Sequence, residues 1–365
     1  MFIHLDDSLL VEEADPLFDN VARAVRNLAV AAFENKHILY GDWNVIVAMR
    51  KHFHYDKDVW DVLNGIYQSY HRSGCPMEVS YYLRVVKEVG EGGVDENGKR
   101  YEPISYTVFE DTKATQECNL ISEDFNDCVF YRQVVDYYKK QKGIVMPCNF
   151  YSVSGSGERT VENVRKCVLE NKQVSICIVD TDKKYPEQRL NREKACYKCQ
   201  RIGKDVPSYF FVPLDVQEIE NLVPYNVLEY LEWNAESKKN KDAFCDLLHK
   251  KDTEYVLAYF DIKKGIVKDE LLKTDEKYKN YAKICYGLNP DPASHGDFDA
   301  YVAGIPDKGV VYRHLLAGLL KRYLEYVESD PSFEIELLEY QKREWEKIGK
   351  AMLTMGCSRG KEAIT

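Results

Sequence analysis

An α/β protein, built on a mainly parallel sheet of four strands flanked by helices, is the fold class the sequence predicts. Apolar runs of five to seven residues recur from Cys118 onward. Helical patterns of about 12 to 16 residues separate them. Strands of that length and composition are buried on both faces, and helices between them imply right-handed βαβ units. At 365 residues the chain also exceeds what one core usually holds, so more than one domain is expected.

The order of elements follows from local pattern. Helical periodicity at Phe18 to Glu34 and Trp43 to Phe53 brackets a strand at His37 to Gly41. The Asn97-Gly98 turn signal predicts a hairpin near Val94 to Phe109, closing an N-terminal α/β domain over residues 1–113. A second domain, 114–235, then reads strand Cys118 to Ser122, helix Asp127 to Lys142, strand Cys148 to Ser154, and helix Glu158 to Lys172. Strands Val174 to Asp180 and Ser208 to Leu214 follow, then a helix at Pro224 to Trp233. The remainder, 236–365, reads as mostly helical, with amphipathic helices at Val310 to Glu328 and Phe333 to Met355.

Bulk properties narrow the function classes. A net charge of −10 does not suit a protein that coats nucleic acid, so a polyanion would have to meet a local basic patch or bound cations. There is no apolar stretch of about 18 residues and the N-terminus is acidic, which predicts neither a membrane span nor a secretory signal. Eleven cysteines scattered through apolar segments read as reduced thiols. A cytoplasmic location is the expectation.

Carboxylates cluster where the apolar runs end. Residues two apart in a strand share a face, so Asp180 and Asp182 would project together, repelling each other unless a cation sits between them; an acidic turn is the alternative. Glu123 ends another run, with Asp127 four residues on, and the segment after Leu214 supplies Glu218 and Glu220. Parallel sheets place their chemistry at the carboxyl ends of strands, and several carboxylates delivered there suit a two-cation phosphodiester site.

The series Glu, three residues, Asp; then Asp-x-Asp; then Glu-Ile-Glu-Asn resembles the Toprim domain. The version found in OLD-family nucleases and related bacterial phage-defence proteins is the most similar, over about Cys118 to Glu232. The resemblance implies a Mg²⁺- or Mn²⁺-dependent nuclease, with two ions, cutting DNA or RNA as an antiviral effector. It implies that Glu123 ligates a cation or acts as general base, with Asp127 as its companion ligand. Asp180 and Asp182 would hold the other ion, and Glu218 or Glu220 would complete the shell. Lys263, in Leu257 to Ile266, would stabilise charge on the scissile phosphate. A regulatory partner, an ATPase among the candidates, and homo-oligomerisation are further expectations. Where the family often has Glu-Gly, this chain has Glu123-Asp124.

Other motifs read more plainly. Lys183, Lys184, Arg189, Arg192, Lys194, Lys198 and Arg201 form a basic insertion over 183–204 that would attract phosphates or else form a solvated face. Gly155 and Gly157 lack the Gly-Lys-Ser/Thr ending of a P-loop, so no ATP hydrolysis is expected. Cys196 and Cys199 form one C-x-x-C without a second, and read as structural thiols. Two alternative functions stay open: a nucleic-acid-sensing or partner-docking module without cleavage, and a PIN-like ribonuclease using Asp6, Asp7 and Asp42.

Overall fold

Phe2–Leu5 (β1) begins the first sheet, where alternation sorts the residues between two faces. A computed structural model describes residues 1–70, 76–248, 253–288, 297–312 and 314–359. Strands Ile38–Gly41 (β2), Tyr81–Val86 (β3), Gly93–Val94 (β4) and Arg100–Ser105 (β5) complete the sheet in the order β2-β1-β3-β5-β4. Its pairings are parallel except β4 with β5, the short antiparallel hairpin around Asn97 and Gly98. Gly98 takes φ +75°, the left-handed turn conformation that favours glycine. One face carries Ile3, Leu5, Leu39, Leu83 and Val85, all fully buried. The other carries Phe2, His4, Tyr40, Tyr82 and Arg84 in register. Helices Phe18–Phe33 (α1), Trp43–His52 (α2) and Lys57–Ser69 (α3) follow β1 and β2.

The second sheet is the predicted one: four strands, all parallel, in the order β7-β6-β8-β9. They are Cys118–Ser122 (β6), Phe150–Ser154 (β7), Ser175–Cys177 (β8) and Tyr209–Phe211 (β9). Phe125–Lys142 (α4) joins β6 to β7, ending at Gly143 in the left-handed conformation. Glu158–Val164 (α5), continued by a π turn, joins β7 to β8, and Ala195–Ile202 (α6) precedes β9.

The chain forms two compact units. The first comprises Met1–Ile178, Tyr197–Val212 and Lys347–Thr365; the second comprises Val179–Cys196 and Pro213–Glu346. Within the second, Ile266–Val267 (β10) pairs antiparallel with Val310–Tyr312 (β11). Its helices include Ala235–Leu248 (α7), Glu254–Leu257 (α8), Lys268–Lys273 (α9), Glu276–Gly287 (α10), Phe298–Gly304 (α11) and Leu319–Ser329 (α12). The first two turns of Glu339–Gly356 (α13), through Glu346, also belong to it. No helix among the described residues is long and apolar enough to cross a membrane.

Three segments differ from expectation. Val310 to Tyr312 is strand, because these β-branched and aromatic residues pair with β10, and the helix starts only at Leu319 after Gly318 at φ +76°. Pro224 to Trp233 yields only a 3₁₀ turn at Tyr225–Glu229. The last helix begins at Glu339, six residues after Phe333.

Candidate metal centre

β8 ends at Cys177, Ile178 still bonds to Ile121 and Ser122 of β6, and from Thr181 the chain is held by hydrogen bonds to a different segment. The amides of Thr181 and Asp182 both donate to the Gln217 carbonyl, at 3.1 and 3.0 Å. The Thr181 hydroxyl donates to the Val216 carbonyl at 2.5 Å. These bonds lay residues 180–182 along residues 216–219, and the Ile219 amide donates to Asp180 Oδ1 at 2.8 Å. Carboxylates 38 residues apart in sequence thereby become neighbours.

Glu218 caps a 3₁₀ turn, Ile219–Leu222, that contains Glu220 and is anchored by Asn221. The Asn221 side chain donates to the carbonyls of Leu257 at 2.8 Å and Phe260 at 2.9 Å, and accepts from the Glu218 amide at 3.0 Å. Its own carbonyl accepts from Tyr340 Oη at 2.8 Å and Gln341 Nε2 at 3.1 Å, while Trp345 Nε1 donates to the Leu222 carbonyl at 2.9 Å. The buried side chains of Tyr340, Gln341 and Trp345 leave the turn little freedom.

The outcome is an acidic trio. One carboxylate oxygen from each of Asp180, Glu218 and Glu220 lies within 4.8 Å of the others. In an octahedral Mg²⁺ shell at about 2.1 Å, neighbouring oxygens are about 3 Å apart and opposite ones about 4.2 Å, so the three carboxylates would have to close by up to about 2 Å to share one ion. Glu218 and Glu220 are 8% and 4% exposed. Lys263 Nζ reaches both, 3.2 Å from Glu218 Oε2 and 2.9 Å from Glu220 Oε1. Asp261 Oδ1 aims it by accepting the amides of Lys263 and Lys264, at 3.1 and 2.7 Å.

One ammonium does not balance three carboxylates. Glu218 Oε1 and Glu220 Oε2 are buried and have no hydrogen-bond partner, a costly state that a cation would relieve. Burial, then the Glu220 charge, push the Glu218 carboxyl up to about 7, against the pull of Lys263. Burial opposes the Lys263 ammonium, but Glu220 and Glu218 outweigh it and raise its pKa. The donor set of hard oxygens with surplus charge fits a divalent cation.

The other expected residues lie elsewhere. Asp182 has φ +54°, so it does not continue the strand, and its half-exposed carboxylate sits 3.1 Å from Lys194 Nζ. Asp127 belongs to the first unit, where its Oδ2 accepts from Ser122 Oγ at 3.1 Å and the Asp124 amide at 2.9 Å, completing a capping box on α4. Its carboxylate is engaged in ending β6 and starting a helix. Glu123 lies in the same unit, half-buried. Asp6 and Asp42 share Arg84, at 2.5 and 3.6 Å, and Asp42 also takes the Asp7 amide at 2.8 Å. Cys196 and Cys199 are buried thiols with no disulfide. Gly157, at φ +57°, leads into α5 as a turn.

Part of the basic insertion gathers around a cavity of about 290 Å³ in the second unit. Lys183, Lys184, Arg189 and Lys194 line it with Lys264. Gln217, next to Glu218 in the chain, and Asp261, two residues before Lys263, also line it, with the carboxylates Asp182 and Glu270. Lys184 is partly engaged by Glu270 at 2.6 Å. Arg192, Lys198 and Arg201 do not line this cavity, and Lys198 pairs with Glu158 at 2.6 Å in the first unit.

Asn221, Asp261, Thr181 and Gln217 were not singled out by sequence. Asn221 directly follows Glu220 and Asp261 lies two residues before Lys263, both being residue types that hydrogen-bond local backbone. No family model matches the chain, and no curated protein or solved structure shows significant similarity to it.

Proposed function

We propose that this chain is a Mg²⁺- or Mn²⁺-dependent phosphodiester hydrolase acting on nucleic acid, with Asp180, Glu218 and Glu220 as the metal ligands. The observation that carries this reading is the pair of buried oxygens, Glu218 Oε1 and Glu220 Oε2, left without hydrogen-bond partners on two of the three carboxylates that come together. The trio supports one ion. A bound cation would supply Lewis-acid stabilisation of charge and a water acidified toward neutral pH. Lys263 is close enough to both glutamates to turn its ammonium toward a phosphate oxygen developing charge. Lys183, Arg189, Lys194 and Lys264 would hold flanking phosphates in the cavity they line. The parallel four-stranded sheet is compatible with the Toprim reading.

Incubation with plasmid, tRNA and single strands in Mg²⁺ or Mn²⁺ tests the proposal. Wild type should cleave at least one substrate, chelator should stop it, and Asp180→Asn should lose cleavage while keeping its melting temperature. Full cleavage by a folded Glu218→Gln/Glu220→Gln variant would reject the assignment.

A second reading has one observation in its favour: Lys263 already bridges Glu218 and Glu220. On that reading the cluster is a structural ion network, and the basic cavity binds nucleic acid without cutting it. Nucleic-acid binding insensitive to chelator, with no Mn²⁺ bound at micromolar concentration, would favour it.

A further inference from the structure

The first unit contains a cavity of about 460 Å³ against the aromatic face of its five-stranded sheet, and the reading of the acidic trio makes no use of it. The face is laid down by strand register. Parallel pairing of β1 with β2 and β3 aligns His4 with Tyr40 and Arg84, and pairing of β3 with β5 aligns Tyr82 with Tyr101. Phe2 and Tyr82, 5.5 Å apart edge-on, are buried in a cluster with Val79 and Cys357 and form the floor, while His4 and Tyr40, 5.9 Å apart, and Tyr101, 5.8 Å from Tyr82, are only partly buried and border the cavity. Tyr70 extends this border as a wall, stacked on Tyr40 at 5.4 Å.

The opposite wall is the β4–β5 hairpin, which contributes Asp95 and Glu96. Tyr82 Oη donates to Asp95 Oδ2 at 3.2 Å, and Asp95 Oδ1 holds the turn through the amides of Asn97 and Lys99, at 2.9 and 2.8 Å. Asp42 in the lining pairs with Arg84 at 3.6 Å and lies 3.4 Å from His4 Nε2, so the negative charge left over is that of Asp95 and Glu96 on the hairpin. Arg84 is already balanced by Asp6 and Asp42, and its guanidinium carbon lies 5.1 Å over the Tyr101 ring.

The geometry points to a binding site for a small organic cation, a quaternary or protonated amine, either free or at the end of a peptide side chain. Ring faces carry negative charge density that attracts a desolvated cation, and a carboxylate rim adds to the attraction while repelling phosphates. The volume falls within the range of small-molecule sites. A neutral apolar guest of the same shape would gain burial but not this electrostatic component. A nucleotide would be repelled at the rim. The inference is independent of the metal centre, which lies in the other unit.

Calorimetric titration of the full chain with choline and with its neutral carbon isostere, 3,3-dimethylbutanol, separates charge from shape. Choline should bind at least about tenfold more tightly than the isostere. Glu96→Gln, at an exposed position, and Tyr101→Leu should each weaken choline severalfold with the melting temperature held. A trimethyl-lysine peptide binding more tightly than choline would identify a side-chain source; the reverse would identify a free amine. Equal binding of the isostere, no choline binding up to about 10 mM, or preference for adenosine would overturn the proposal.

Discussion

Lys263 Nζ sits 2.9 Å from Glu220 Oε1, occupying one oxygen of a buried carboxylate whose other oxygen has no partner. The ammonium therefore both balances the cluster and leaves it under-satisfied. Removing it with Lys263→Ala should cost about 3 kcal/mol in the metal-free chain, since breaking a buried pair leaves uncompensated charge. If the trio binds cations, millimolar Mg²⁺ or Mn²⁺ should restore most of that loss, and restore more for the variant than for wild type. Thermal melts with and without chelator decide it. An equal shift in both proteins would mean the cation binds elsewhere.

The raised Glu218 pKa makes stability depend on pH. In the unfolded chain the carboxyl ionises near 4.5; in the folded, metal-free chain it ionises at about 7. Between these values the folded state holds the extra proton, so stability falls as pH rises through the window, by roughly 3 kcal/mol in all. Glu218→Gln should flatten that slope. Urea unfolding at pH 5 and at pH 7.5 measures it, and the slope should also shrink in saturating Mg²⁺.

Asn221 ties the turn bearing both glutamates to the Leu257 and Phe260 carbonyls. Asn221→Ala leaves those acceptors and the Glu218 amide without their side-chain partner, a loss of about 2 to 4 kcal/mol. The expected signature is double: a lower urea midpoint, and Mn²⁺ affinity down at least about tenfold although no ligand has been changed. Unaltered Mn²⁺ binding would show that the trio does not depend on this anchor.

How far the sequence reveals the molecule depends on whether the determinant is local. Cys118–Ser122 is legible because a short run centred on Leu120 and Ile121, between polar segments and followed by a helical pattern, has few alternatives to a buried strand. The parallel order of the second sheet follows from the helices between its strands. The Asp-x-Asp reading assumed extended backbone through Asp182, but β8 ends at Cys177 and Asp182 turns at φ +54°. What brings Asp180 to Glu218 and Glu220 is the docking of Thr181 and Asp182 on the Gln217 carbonyl, a tertiary hydrogen bond with no periodicity to betray it. Asp127 misleads for another reason: a carboxylate five residues past a strand end, where the next helix begins, serves equally in a helix cap or as a ligand, and the cap won.

The two aspartates of Asp180-Thr181-Asp182 should therefore behave differently when each is changed to asparagine. Asp182 lies in the left-handed region, which asparagine tolerates, and its exposed ion pair with Lys194 is worth little. Asp182→Asn should shift stability by no more than about 0.5 kcal/mol and leave Mn²⁺ affinity within about twofold. Asp180→Asn keeps an oxygen to accept the Ile219 amide, so the fold should survive, but it removes one of three ligand charges. Mn²⁺ affinity should then fall at least about tenfold, in keeping with the hard-oxygen preference of the ion. Parallel Mn²⁺ titrations followed by electron paramagnetic resonance would separate the two. Equal losses would restore Asp182 to the site, and no loss in either would remove the metal from it.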